Sequence, residues 1–76
     1  MPRYFFHVEY GHSAPDEDGT ELANPEEARS EAIQFAGAIL RDGDGQAVWR
    51  GETWRMIVAD EAGPLFNVHF SITPAT

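Results

Sequence analysis

Residues 3–10, Arg-Tyr-Phe-Phe-His-Val-Glu-Tyr, alternate between two faces. Tyr4, Phe6, Val8 and Tyr10 fall on one side, and Arg3, Phe5, His7 and Glu9 on the other. An aromatic and β-branched run with a period of two predicts a strand with one buried face. The same period returns twice near the end of the chain. Residues 54–60 place Trp54, Met56 and Val58 on one side and Arg55, Ile57 and Ala59 on the other. Residues 65–72 place Phe66, Val68, Phe70 and Ile72 on a core face and Leu65, Asn67, His69 and Ser71 opposite. Between these two strands, Asp60-Glu61-Ala62-Gly63 reads as a hairpin turn, with Gly63 suited to positive φ.

The middle of the chain changes period. Asn24 can cap a helix, Pro25 suits its first position, and Glu26 and Glu27 meet the positive end of its dipole. Ala28, Ala32, Phe35, Ala36, Ile39 and Leu40 follow at helical spacing, with Ile33 broadening the stripe. The pattern predicts a helix over 25–41, with Arg41 in its last turn and Gly43 as a left-handed cap. Residues 11–19 read as loop, and residues 20–22 as a short strand pairing with the first. Residues 42–53 form a second loop, with Val48 and Trp49 as apolar anchors over a core edge.

These elements make a single domain over residues 1–76 of α+β class. One helix packs on one face of a small, mostly antiparallel sheet of three to four strands, in the order β-(β)-α-β-β. One helix cannot cover both faces. The second face carries Phe5, His7, Ile57, Leu65, Asn67 and His69, half of them apolar, and is the candidate interaction surface.

Size sharpens that expectation. A chain of 76 residues builds a small core, and such domains often need a staple. It has no cysteine, which excludes disulfides, thiolate metal sites and cysteine nucleophiles. A homodimer is the expected alternative. The formal charge of −8 comes from thirteen acids against five bases, all arginine: Arg3, Arg29, Arg41, Arg50 and Arg55. That balance repels phosphate backbones, so nucleic acid is not an expected partner, while a basic protein is admissible. No apolar run approaches the roughly 20 residues of a membrane helix, and the N-terminus does not resemble a signal peptide. The expected setting is cytoplasmic, without a membrane partner.

Catalytic chemistry has few candidates. His7 and His69 share the second face, with Glu9 on the same face and His12 in a nearby loop. Were the first and last strands neighbours, the two imidazoles could hold a metal or pass a proton. Two ordinary, half-exposed histidines are the expectation. The loops at Asp16-Glu17-Asp18-Gly19 and Asp42-Gly43-Asp44-Gly45 depart from the calcium-loop pattern at the fifth position, Thr20 and Gln46, and read as turns. There is no lysine, no phosphate-cradling glycine loop and no nucleophile elbow. The sequence therefore predicts a non-enzymatic protein with no catalytic residue, metal or cofactor.

Several strings resemble a known family. Met-Pro-Arg-Tyr-Phe-Phe-His-Val, Asp-Glu-Asp-Gly-Thr-Glu-Leu, Glu-Glu-Ala-Arg-Ser-Glu-Ala, Trp-Arg-Met-Ile-Val-Ala-Asp-Glu-Ala-Gly and Pro-Leu-Phe together span nearly the whole chain. They resemble a bacterial family of short proteins classed as a domain of unknown function. The resemblance implies a small α+β domain and no assigned activity. A second similarity is to the strand–helix–strand domain of HicB-type antitoxins. It rests on the acidic, glycine-containing turn ahead of a helix beginning Pro-Glu-Glu-Ala. It implies a basic protein partner met by the acidic stretch from Asp16 to Glu31, although the C-terminal DNA-binding segment of many such antitoxins is missing.

Overall fold

The computed structural model describes residues 1–10, 13–44, 48–51 and 53–75. Among them run β1 (Arg3–Glu9), β2 (Ser13–Ala14), β3 (Thr20–Glu21), α1 (Pro25–Ile39), β4 (Trp54–Asp60) and β5 (Gly63–Phe70). This is the α+β architecture, with one strand more than the pattern predicts: β2 is only two residues long, too short to show a period. Strand order is β2-β1-β4-β5, with β3 also pairing β1, and every pairing is antiparallel.

The faces follow the alternation. Tyr4, Phe6 and Val8 are buried from β1, and Trp54, Met56 and Val58 from β4. Phe66, Val68 and Phe70 of β5 pack against this core but stay partly open, because β5 lies at the sheet edge. Val48 is buried as an anchor, whereas Trp49, expected beside it, is 71% exposed. Gly51 N–H closes a turn onto the Val48 carbonyl at 3.0 Å, and that turn carries the next side chain outward. Ile72 lies beyond the end of β5 and is exposed, so the core face stops at Phe70.

The helix begins as predicted. Asn24 Oδ1 accepts the Glu27 N–H at 2.9 Å, and Glu27 Oε2 accepts the Ala23 N–H at 2.8 Å. This reciprocal pair satisfies donors that the helix itself cannot. The C-terminal end differs from expectation. Leu40, the cap residue, is right-handed (φ −63, ψ −38), and the chain continues into a π turn over Leu40–Asp44. Arg41 lies in that turn and bonds to Asp42 at 3.1 Å, instead of ending α1.

The buried side of α1 is narrower than its sequence stripe. Ala28, Ala32 and Ala36 are at most 1% exposed. Ile33 is 64% exposed, and Phe35 sits at the margin, its ring edge-on to Phe6 at 6.4 Å. Alanines let the helix approach the sheet closely, and Trp54, Met56 and Val58, each 0% exposed, fill the space between. Fully burying such side chains contributes about 1.5–3 kcal/mol each. Trp54 Nε1 is buried with no hydrogen-bond partner among the described residues. No helix among the described residues is long and apolar enough to cross a membrane.

The alanine seam generates a stability prediction. Ala32→Leu adds volume where helix and sheet already touch, and overpacking of that kind costs about 1–3 kcal/mol. Urea melts should show a lower midpoint with an unchanged slope. An unchanged midpoint would mean the seam holds spare room.

Candidate functional site

The register lays the second face out in rows. His7 opposes Ile57, and Ile57 opposes Asn67. Glu9 opposes Arg55, and Arg55 opposes His69. Phe5 opposes Ala59, and Leu65 stands beside a register shift between Val58 and Ala59. Residues directly across a strand pair share a face. The structure thus brings five of the predicted surface residues, Phe5, His7, Ile57, Asn67 and His69, onto one side of the sheet, whereas the sixth, Leu65, falls at the irregularity without a cross-strand partner and borders a recess with Pro25 and Arg29 of the helix. Leu65 (44%), Asn67 and His69 are exposed, and Phe5, His7 and Ile57 are half-buried. The helix lies on the opposite side.

Strand order decides the histidine question. β4 lies between β1 and β5, so His7 and His69 are two strand spacings apart, roughly 9–10 Å, and one row out of step. They do not form a pair. Arg55 intervenes, donating from Nε to Glu9 Oε1 at 3.0 Å and from its Nη2 to the same oxygen. Each histidine also has its own neighbours. His7 stacks on Phe5 with ring centroids 6.2 Å apart and planes 2° from parallel, and its Nδ1 accepts the Asp16 N–H at 3.0 Å. Among the described residues no group of three His, Asp or Glu side chains is arranged to hold a metal. His12 lies outside the described residues.

The acidic turn at Asp16 has a role that sequence reasoning missed. β2 and β3 both lie on the edge of β1 away from β4, pairing Val8 with Ala14 and Tyr4 with Thr20. Between them residues 15–19 bulge past Phe5, Phe6 and His7, and the backbone ladder is broken. Asp16 fills the break. Its Oδ2 accepts the Phe6 N–H at 3.2 Å, and its Oδ1 accepts the N–H groups of Asp18 (3.2 Å) and Gly19 (3.0 Å). Burial pushes the Asp16 carboxyl up. The backbone donors of Gly19, Phe6 and Asp18, with His7 nearby, more than offset this, and its pKa falls below the ordinary 3.8. Gly19 is left-handed (φ +73), and a Cβ there would sit 2.8 Å from both Arg3 Cγ and the Phe5 ring. Arg3 closes the turn by donating to the Asp18 carbonyl at 2.7 Å and to Glu21 at 2.9 Å. The sequence signal was the spacing of Asp16 and Gly19 with two polar residues between, which marks an Asx turn.

A groove of about 550 Å³ opens between α1 and this edge. Phe6, Val8 and Tyr10 line it from β1 and its end, and Phe35 and Ile39 from the helix. Asp16 also borders it, but both of its oxygens already serve backbone donors. The groove therefore offers a largely apolar wall, with Thr20 and Glu31 as its further polar lining.

A family model described as a domain of unknown function, DUF6894, matches residues 3–71. The chain belongs to the DUF6894 family. No curated protein and no solved structure matches it. The family resemblance seen in the sequence strings is thereby established, while the likeness to HicB-type antitoxins gains no support. The DUF6894 match runs from the first residue of β1 to the residue after β5.

The Asp16 turn of this DUF6894 chain predicts a pH dependence. A carboxyl whose folded pKa is lowered contributes stability above its unfolded value, and loses it as pH falls through the folded value. Asp16→Asn should lower stability at neutral pH by about 1 kcal/mol. The deficit relative to wild type should shrink on acidification below 3.8, the ordinary aspartate value. Thermal melts of both proteins across the acid range check this, and a deficit constant with pH would place the effect elsewhere.

Proposed function

We propose that the chain is a non-enzymatic protein-interaction module that acts as a homo-oligomer through its second sheet face. The observation carrying this reading is the face itself: Phe5, His7, Ile57, Asn67 and His69 stand in register, Leu65 adds an exposed apolar side chain at its edge, and the helix is spent on the other side. Phe5, Ile57 and Leu65 supply apolar contact area. His7, Asn67 and His69 supply polar specificity, and the Glu9–Arg55 pair neutralises the charge at one end. The absence of lysine and cysteine from the sequence narrows the nucleophiles available and supports the same reading. The alternative contact, a basic protein on the stretch from Asp16 to Glu31, is weaker. Asp16, Glu21 and Glu27 of that stretch are engaged within the chain.

Leu65→Glu is the cleanest test, because Leu65 is exposed, whereas Phe5 also packs on Gly19 and His7. The substitution should abolish self-association, read as mass by light scattering after size exclusion. Stability should stay within about 0.5 kcal/mol of wild type, as for a surface change. Wild-type and variant proteins of equal, multi-chain mass would remove Leu65 from the contact.

A further inference from the structure

The strand pairing shows which way each backbone group of β5 points. The Phe6 N–H faces the Asp16 edge of β1, and Phe6 opposes Val58. In an antiparallel ladder successive residues aim their backbone groups at alternate sides. Phe5 and His7 therefore face β4, and their partners Ala59 and Ile57 face β1. Met56 and Val58 then face β5, where they meet Val68 and Phe66. The remaining residues of that strand, Asn67 and His69, turn N–H and C=O outward. Among the described residues no element pairs with that edge.

Proteins ordinarily blunt such an edge with charge, proline, a bulge or a covering segment. The β1 edge of this chain is closed in that way, by β2, β3 and the Asp16 carboxylate. At β5 the blunting is confined to its first residues, Pro64 and the adjacent register shift. Beyond them the strand is regular through Phe70. No Asp, Glu, Lys or Arg occurs anywhere between Ala62 and Thr76, in a chain that is 24% charged overall. Apolar side chains of the strand stand open or partly open: Leu65 is exposed, and Phe66, Val68 and Phe70 are half-buried.

We infer that the occupant of this edge is a second copy of the chain, paired β5 to β5, antiparallel, about a two-fold axis. A copy carries the same charge of −8 and meets least repulsion where neither partner has an acid. A two-fold contact also requires a surface complementary to itself, and an uncharged strand edge is one. Among the described residues the opposite side of the sheet ends in two dipeptides, β2 and β3, too short to extend a ladder, so the assembly closes at two copies. The inference rests on the self-association proposed above but moves the contact from the plane of the second face to its edge: the two second faces lie side by side in one continuous sheet, not face to face.

Asn67→Pro tests it directly. Proline deletes one outward N–H, and at an edge it leaves the bonds to β4 intact. Asn67→Ala is the control, removing the same side chain while keeping the N–H. Wild type and Asn67→Ala should show twice the 8.5 kDa chain mass, and Asn67→Pro a single-chain mass with a cooperative melt. Backbone hydrogen exchange should slow at Asn67 and His69 as wild-type concentration rises. Should Asn67→Pro fail to fold, that exchange pattern decides alone. A dimer with unprotected Asn67 and His69, dissociated instead by Ile57→Asp, would overturn edge pairing and leave face-mediated association standing. A mass above two chains would overturn the closed pair. A single-chain mass for wild type at all concentrations would overturn both.

Discussion

The contact between three helix alanines and the large side chains of β4 sets the geometry of this molecule. Ala28, Ala32 and Ala36 present almost no volume, so α1 comes close to the sheet over Trp54, Met56 and Val58. The helix thereby covers the middle of the sheet and little else. Ile33 is left on the outside, Phe35 at the margin, and the apolar residues of β5 half covered. A helix with leucines in place of alanines would stand further off. It would reach wider, at the cost of the close seam that lets a short chain hold a tryptophan and a methionine fully buried.

Given that limited cover, the edges and the far face become the variable parts of the fold. On the β1 side the chain closes its own edge. The closure is not a full strand: two dipeptides pair, and one carboxylate replaces the missing backbone acceptor for Phe6. The turn is held from both directions, since Arg3 grips Asp18 and Glu21 while Gly19 lies flat against Phe5. Several acids that look like a solvated run in the sequence are therefore structural.

Much of this was legible in the sequence because it is local. A period of two assigned the faces of β1 and β4, and of β5 from Phe66 to Phe70, but it carried the core face on to Ile72, which is exposed, and gave no sign of the irregularity at Leu65. Asn24, Pro25 and Glu27 marked the helix start by chemistry that acts over four residues. What stayed hidden depends on distant partners. The position of β4 between β1 and β5 separates His7 from His69, and no pattern within either strand carries that fact. The two-residue strands have too few positions to show a period. Ile33 and Phe35 fit a helical stripe, yet their exposure depends on how far the sheet extends beneath them. Trp49 looked like an anchor because tryptophan usually is one, and the turn after Val48 points it to solvent. Asp16 read as a turn residue, which it is, but its bond to Phe6 is a tertiary contact across ten positions.

The asymmetry between the two sheet edges is the observation that joins fold to function. An open edge on its own is a hazard, since it can template pairing with any extended chain. That hazard is reduced at β1, where β2, β3 and the Asp16 carboxylate engage outward backbone groups. At β5 the backbone groups of Asn67 and His69 stay available, within a segment free of charge, in a chain that is otherwise strongly acidic. Two copies of like charge meet with little repulsion along such a segment. Pairing there would satisfy the edge, shelter Leu65, Phe66, Val68 and Phe70, and bring the His7–Ile57–Asn67 rows of both copies into one sheet. The second face would then double in width without being covered. Self-association and the offer of a surface to a further partner are therefore compatible uses of the same sheet, because the first is made along its edge and the second across its plane.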